Sequence, residues 1–249
     1  MQCIILAAGY ATRLYPLTEN FPKPLLKVKG KAILDWLLDD LSGSGQVSRY
    51  LVVSNHRFVG HFMRWAEARQ ERIDVLDDGT SSNETRLGAV RDLQFALEHA
   101  VPAEPGESWL VMAGDNLLDF SLGTFLEYAR EKGTSCVMRY QESDKARLRK
   151  SGVLVVDGED KVLQMQEKPS EPASNWCCPA FYIYSNEDAR RIPEAIADGC
   201  GTDAPGSLLS WLCVRSVVHA MAMPGARHDI GTLESYRQIC ADYRKNVVI

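Results

Sequence analysis

The first 31 residues hold five cations, Arg13, Lys23, Lys27, Lys29 and Lys31, against one acid, Glu19. That is a local charge of +4 in a chain of 249 residues whose formal charge is −5. An apolar run, Cys3 to Ala8, leads directly into a turn of small residues, Gly9 to Thr12, and then into the basic stretch. Small residues let backbone N–H groups come close to a phosphate, and Arg13 adds a planar, forked cation. Lys23 stands between Pro22 and Pro24, whose restricted backbones keep it off a regular helix. These residue types in this order point to the holding of a phosphate-rich anion. Two familiar phosphate loops are excluded by spacing. The stretch has no G-x-G-x-x-G, and no Gly-Lys-Ser/Thr closes a P-loop anywhere in the chain.

Side chains of this kind need a frame, and the periodicity supplies one. "QCIILA", "RYLVVS", "RIDVL", "SWLVMAG" and "TSCVMRY" read as strands. Between them, "AILDWLLDDL", "RFVGHFMRWAEARQ", "LGAVRDLQFALEHA" and "SLGTFLEYAREKG" carry apolar residues at helical spacing. Such alternation predicts a Rossmann-like α/β fold, with a mostly parallel sheet flanked by helices. The second half changes rhythm. "GVLVVD" and "KVLQMQEK" around the turn "GED" predict a hairpin, and "PAFYIYS" and "VVHAMAM" add strands. The helical stretches there are "NEDARRIPEAIADG", "GSLLSWLCVR" and "TLESYRQICADYRKN". A smaller antiparallel portion in the second half is therefore expected, within a single domain over residues 1–249. Ligands of such open sheets bind beyond the carboxyl ends of the strands, which is where the Gly9–Arg13 turn falls.

Composition narrows the function. A mildly acidic chain does not present the broadly basic surface that nucleic acid requires. No apolar stretch approaches the ~20 residues of a membrane span, and the N-terminus lacks the marks of a signal peptide. The seven cysteines are odd in number, scattered and never spaced C-x-x-C, which argues for reduced thiols and a cytoplasmic protein.

The run "LAAGYATRLYPLT" followed by "PKPLL", then "GDN" (114–116), "EKP" (167–169) and "DIGTLESY" (229–236), closely resembles the sugar-1-phosphate nucleotidyltransferases. The resemblance covers nearly the whole chain. It implies attack of an acceptor phosphate on the α-phosphorus of an NTP, with pyrophosphate leaving, a reaction that depends mainly on positioning and charge stabilisation. It further implies a nucleotide-binding portion over 1–140 and an acceptor-binding portion over 141–249. Leu6, Ala8, Gly9 and Thr12 would contact the nucleotide, Arg13 the leaving pyrophosphate, and Lys23 the reacting phosphates. Asp115 and Asp229 would hold Mg2+, Lys168 the acceptor's phosphate, and Glu167 the acceptor's hydroxyls. Asn83 and Gly88 are the candidates for base and ribose. Lys27, Lys29 and Lys31 are expected to supply field more than contacts. His56 and His61 read as surface residues, Tyr182 and Tyr184 as core or pocket wall, and Trp176 as a border of the acceptor pocket. One departure stands out. Where the family usually has a second glycine this chain has Ala11, a substitution that costs about 1 kcal/mol if the position needs φ > 0.

Three functions remain open to the sequence. A carboxylate at Glu167 favours a sugar 1-phosphate as acceptor. A cytidylyltransferase acting on phosphocholine, a phosphonate or another non-sugar phosphate keeps the same chemistry. A non-catalytic regulatory subunit is disfavoured by the joint presence of Arg13, Lys23, Asp115 and Asp229. The base, the acceptor and the oligomeric state are left open.

Overall fold

The structure is a computed structural model and describes residues 1–104 and 106–243. In chain order the first elements are β1 (Gln2–Leu6), β2 (Lys27–Val28), β3 (Lys31–Ala32), α1 (Ile33–Ser44), β4 (Arg49–Ser54), α2 (Val59–Glu67) and β5 (Ile73–Asp77). Next come α3 (Ala89–His99), β6 (Ser108–Ala113), β7 (Asn116–Leu118), α4 (Gly123–Lys132), β8 (Ser135–Gln141), α5 (Lys145–Leu148), β9 (Gly152–Val156) and β10 (Val162–Glu167). The last are β11 (Trp176–Cys178), β12 (Phe181–Ser185), α6 (Asn186–Ala189), α7 (Ile192–Ala197), α8 (Gly206–Leu212), β13 (Val218–Ala222), β14 (Arg227–Asp229) and α9 (Leu233–Asp242). Two compact units emerge, each assembled from more than one stretch of chain.

The first unit takes residues 2–86, 113–124 and 224 onward. β1, β4 and β5 pair in parallel, with Ile4 opposite Leu51 and Val52 opposite Val75. Parallel neighbours need crossovers, and α1 and α2 provide them. α1 buries Ile33, Leu34, Leu37, Leu38 and Leu41, and it stops at Gly45, whose left-handed φ of 64° suits the residue that ends a helix. Arg69 ties α1 to the start of β5. Its guanidinium donates to Asp35 Oδ1 at 3.0 Å, to Asp39 Oδ1 at 2.6 Å and to Glu71 Oε2 at 3.0 Å. A second apolar cluster gathers Leu14, Leu26, Val28, Ile33, Leu117, Ile230, Ile239 and Tyr243. It packs the segment that follows β1 against α9. β7 and β14 form a short antiparallel ladder in which Asn116 stands opposite Asp229.

The second unit takes residues 87–112 and 125–223, with Met1. Its strands run in the order β10-β9-β11-β8-β12-β6, with β13 alongside β8. The expected hairpin is β9–β10 and is antiparallel, while β13 lies parallel to β8. Tyr182 and Tyr184 are buried, their rings stacked with centroids 5.6 Å apart, so both belong to the core.

The α/β class expected from periodicity is the one found, with parallel strands joined through helices and an antiparallel portion in the second half. Elements differ in detail. The stretch from Asn186 is two helices rather than one, because Pro193 sits in the first turn of α7, where its missing N–H is tolerated and α6 cannot run through it. Strands β2, β3, β7, β11 and β14 were not expected, being only two or three residues long. The end of the predicted C-terminal helix, beyond residue 243, lies outside the described residues.

Candidate functional site

β1 ends at Leu6, and the Ala7 N–H donates to the Val53 carbonyl at 2.9 Å, so the turn that follows leaves the carboxyl edge of β1 and β4. Ala11 in that turn has φ 47° and ψ 42°, the left-handed region. The alanine Cβ makes this conformation cost about 1–2 kcal/mol. Two hydrogen bonds to the Ala11 carbonyl hold it there, from the Leu14 N–H at 2.9 Å and the Thr18 hydroxyl at 2.8 Å. Ala8 is pinned from below, its carbonyl accepting from Asn55 Nδ2 at 2.8 Å. Asn55 is fully buried, and its Oδ1 also accepts from the Phe58 N–H at 3.0 Å. The Tyr10 hydroxyl donates to the Thr80 carbonyl at 3.1 Å. The loop is therefore fixed by Thr18, Asn55 and Tyr10, none of which sequence reasoning singled out. Only the polarity of a buried Asn after an apolar strand could have flagged Asn55.

Leu6, Gly9, Ala11, Arg13, Lys23 and Asp115 line a cavity of about 160 Å³, together with Ile230 and Gly231. Lys23 opens a short 3-10 turn over Lys23–Leu25, entered through Pro22 in extended conformation, so the flanking prolines do keep it out of an α-helix. Its side chain is only 8% exposed, and Nζ lies 2.7 Å from Asp115 Oδ2 and 4.0 Å from Asp229 Oδ1. The two aspartates are 114 positions apart in sequence. The β7–β14 ladder brings them together, since Asp115 immediately precedes β7 and Asp229 ends β14 opposite Asn116. Asn116 Nδ2 donates to Asp115 Oδ1 at 3.0 Å, and Arg227 Nη1 donates to Asn116 Oδ1 at 2.7 Å. Arg227 is 3.9 Å from Asp229 Oδ1. Arg13 is exposed and makes no ion pair among the described residues. Its guanidinium lies beside Gly231, where a Cβ would come within 4.0 Å of Nη1 and 3.6 Å of Asp229 Oδ2.

The structure thus gathers Arg13, Lys23, Asp115 and Asp229 in the first unit, with Leu6 and Gly9 in the cavity wall. Ala8 and Thr12 do not line that cavity. Asn83 is exposed, does not line this cavity, and its carbonyl accepts from Arg86 Nη1 at 2.7 Å. Gly88 belongs to the second unit. Its φ of 91° and the approach of Thr202 O to 2.5 Å of a Cβ position both demand glycine there. Of the three lysines expected to supply field, two make contacts instead. Lys29 Nζ donates to the Ala241 carbonyl at 2.5 Å, and Lys31 pairs with Asp39 and lies 4.4 Å from the Trp36 ring centroid.

Glu167 and Lys168 lie in the second unit at the end of β10. Lys168 is exposed and left-handed, with φ 49°. Burial holds the Glu167 carboxyl above its usual range, against the pull of Lys168 and with a further push from Asp203. Trp176 is half-buried beneath the Arg139 guanidinium, 4.4 Å from its ring centroid. His56 is exposed, with Nδ1 2.6 Å from Asp77 Oδ2. His61 packs edge-on against Phe21, with centroids 5.1 Å apart. The seven cysteines are all free. No helix among the described residues is long and apolar enough to cross a membrane.

A buried lysine thus stands between two carboxylates, beside a turn of small residues at the edge of an α/β sheet. The family described as Nucleotidyl transferase matches residues 2–246, and the chain belongs to it, a member of the sugar-1-phosphate nucleotidyltransferases. It is 29% identical over 243 residues to the UTP–glucose-1-phosphate uridylyltransferase AglF of Haloferax volcanii, covering 93% of this chain and 91% of that one. It is 25% identical over 249 residues to the glucose-1-phosphate adenylyltransferase of Fervidobacterium nodosum, where it covers 94% of this chain but spans 59% of the relative. A solved UDP-glucose pyrophosphorylase complexed with UDP-glucose superposes with a TM-score of 0.81 at 17% identity, over 96% of each chain, which shows the shared fold. The chain is accordingly a nucleotidyltransferase.

Proposed function

We propose that the protein transfers the nucleotidyl group of an NTP to a sugar 1-phosphate, with Mg2+, acting over residues 1–249 as a single nucleotidyltransferase domain. An oxygen of the acceptor phosphate forms a bond to the α-phosphorus, the bond from that phosphorus to the bridging oxygen breaks, and pyrophosphate leaves with the electron pair. The observation that carries the reading is the placement of the Lys23 ammonium between Asp115 and Asp229 beside Arg13. Two carboxylates already share one cation there, and two carboxylates plus phosphate oxygens are a usual donor set for Mg2+ with nucleotides. These residues fit the ion: Asp115 and Asp229 would hold it. When bound it would neutralise charge on the reacting phosphates.

The chain's own groups do the rest. The turn at Gly9–Arg13 offers N–H groups and a guanidinium to the triphosphate, and Arg13 meets the charge that grows on the leaving pyrophosphate. Lys23 supplies a water-shielded cation to the phosphates, which low local dielectric strengthens. Glu167 accepts hydrogen bonds from acceptor hydroxyls, and Lys168 binds the acceptor's phosphate. The relatives act on glucose 1-phosphate by name yet differ in nucleotide, one uridylyl and one adenylyl, so the sugar phosphate is the firmer half of the reading.

The test is pyrophosphate release from each common NTP against glucose 1-phosphate, other sugar 1-phosphates and phosphocholine. Turnover with a sugar 1-phosphate is the expected result. Activity confined to CTP with phosphocholine would move the acceptor to the non-sugar class.

A further inference from the structure

We infer that Gly206 is a positioning residue for Glu167, fixing that carboxylate by offering it a bare backbone; this rests on the acceptor role proposed for Glu167. Both residues lie in the second unit. Across three strands the register sets Glu167 opposite Gly152 and Gly152 opposite Cys178, so the row beside Glu167 begins with a residue that has no side chain. From the other side comes the start of α8. A Cβ on Gly206 would collide with Glu167 Oε2 and lie 2.5 Å from Met165 Cε, distances below 3.0 Å that real Cβ atoms essentially never show. A Cβ on Gly152 would meet the same Oε2 at 3.4 Å. One carboxylate is therefore flanked by two glycines from two separate elements.

Neither glycine is demanded by its backbone. Gly206 and Gly152 are absent from the residues of positive φ. In ordinary backbone, glycine is a poor helix former and weakens a strand. Alanine should be better than glycine at both places on local grounds, and what stands against it is the space filled by Glu167 and the Met165 methyl. Gly206 is buried and touches the acid directly. A flexible glutamate confined this way has fewer rotamers to lose when hydroxyls bind it, which favours recognition.

The experiment measures steady-state kinetics of the full chain with glucose 1-phosphate, or with whichever sugar 1-phosphate the pyrophosphate assay shows to be used, and follows thermal melting in parallel. Gly206→Ala should raise the acceptor KM about 10–100-fold, the scale of losing a hydrogen bond to a charged group, and leave the NTP KM and the melting temperature near wild type. Adding Glu167→Asp withdraws the carboxylate by one methylene, so the Gly206→Ala/Glu167→Asp double variant should bind acceptor better than Gly206→Ala alone. Were Gly206→Ala too unstable to assay, the double variant decides. If it folds and matches Glu167→Asp alone, the obstacle was the carboxylate; if it also fails to fold, the inference is overturned. Glu167→Ala separates the two levels. No change in acceptor KM in that variant would remove the acceptor role itself. A large rise there, together with a wild-type KM in Gly206→Ala, would sink the positioning role alone.

Discussion

At the scale of single residues, Arg13 and Ala11 make opposed predictions. Arg13 is exposed, unpaired among the described residues and beside Gly231, so it contributes little to the resting fold. Arg13→Ala should leave the melting temperature unchanged and lower kcat about 10²–10³-fold, the cost of losing one donor to transition-state charge. A raised NTP KM at constant kcat would show uniform binding instead. Ala11 is the reverse case. Its left-handed φ of 47° carries strain that glycine would not feel. Ala11→Gly should gain up to about 1 kcal/mol of stability, reduced by the freedom that glycine adds to the unfolded chain, and Ala11→Val should lose more than that. Urea melts of the three proteins would rank them, and a stable Ala11→Val variant would contradict the strain. The conditional cost attached to Ala11 was readable in sequence because only the missing glycine was needed to see it. Asn55 was not, since its importance lies in the distant Ala8 carbonyl that it holds.

At the scale of elements, the β7–β14 ladder makes one prediction and the Arg69 cluster another. The ladder presents Asp115 and Asp229 as one assembly. Asp115→Asn and Asp229→Asn should each abolish most turnover with the fold intact, and the double variant should be little worse than either. Kinetics against magnesium concentration with parallel melts check this. Full activity of one variant at saturating magnesium would take that aspartate out of the assembly. In the cluster, the hydrogen bond from Arg69, opposed by burial, holds the Glu71 carboxyl down to about 2. A carboxyl lowered on folding stabilises above its unfolded value, near 4.5, and that gain is lost as pH falls from there toward about 2. Glu71→Gln should therefore melt earlier than wild type at neutral pH, by about 1 kcal/mol or less, and the difference should close as pH falls through that window. A gap independent of pH would mean that shape rather than charge carries the contact. The long helices and strands were legible because their apolar residues repeat over many positions. β7 and β14 were not, because three residues give no period, and their pairing depends on a chain separation that no local pattern records.

Over the whole molecule, charge is unevenly shared, with a basic opening in an acidic chain. Lys23 and Lys31 are paired with Asp115 and Asp39, which leaves exposed Arg13, Lys27 and Lys29 to attract an anion, Lys29 from its place at the Ala241 carbonyl. Association of the NTP should slow as salt rises, because the screening length falls from about 10 Å at 0.1 M to about 3 Å at 1 M. Lys27→Gln should flatten that salt dependence without changing the melt, and Lys31→Gln should lower the melt instead. Stopped-flow binding across a salt series reads the first and calorimetry the second. Equal salt slopes for Lys27→Gln and wild type would show that steering comes from elsewhere. Three of the residues that line the candidate cavity were legible in the motifs "GYATR", "PKPLL" and "GDN", which are contiguous. The division of the chain into two interleaved units was not, for it is set by long-range contacts.

The ladder that joins Asn116 to Asp229 also imposes an order in time. A ribosome releases Asp115 more than a hundred residues before Asp229 has been translated, and between them it must deliver residues 125–223, the larger part of the second unit. A nascent chain thus carries the glycine-poor loop and Lys23 early and lacks the second carboxylate until almost the end. Arrested chains that stop short of residue 229 should bind nucleotide without turning it over, and competence should arrive in one step with the last strand.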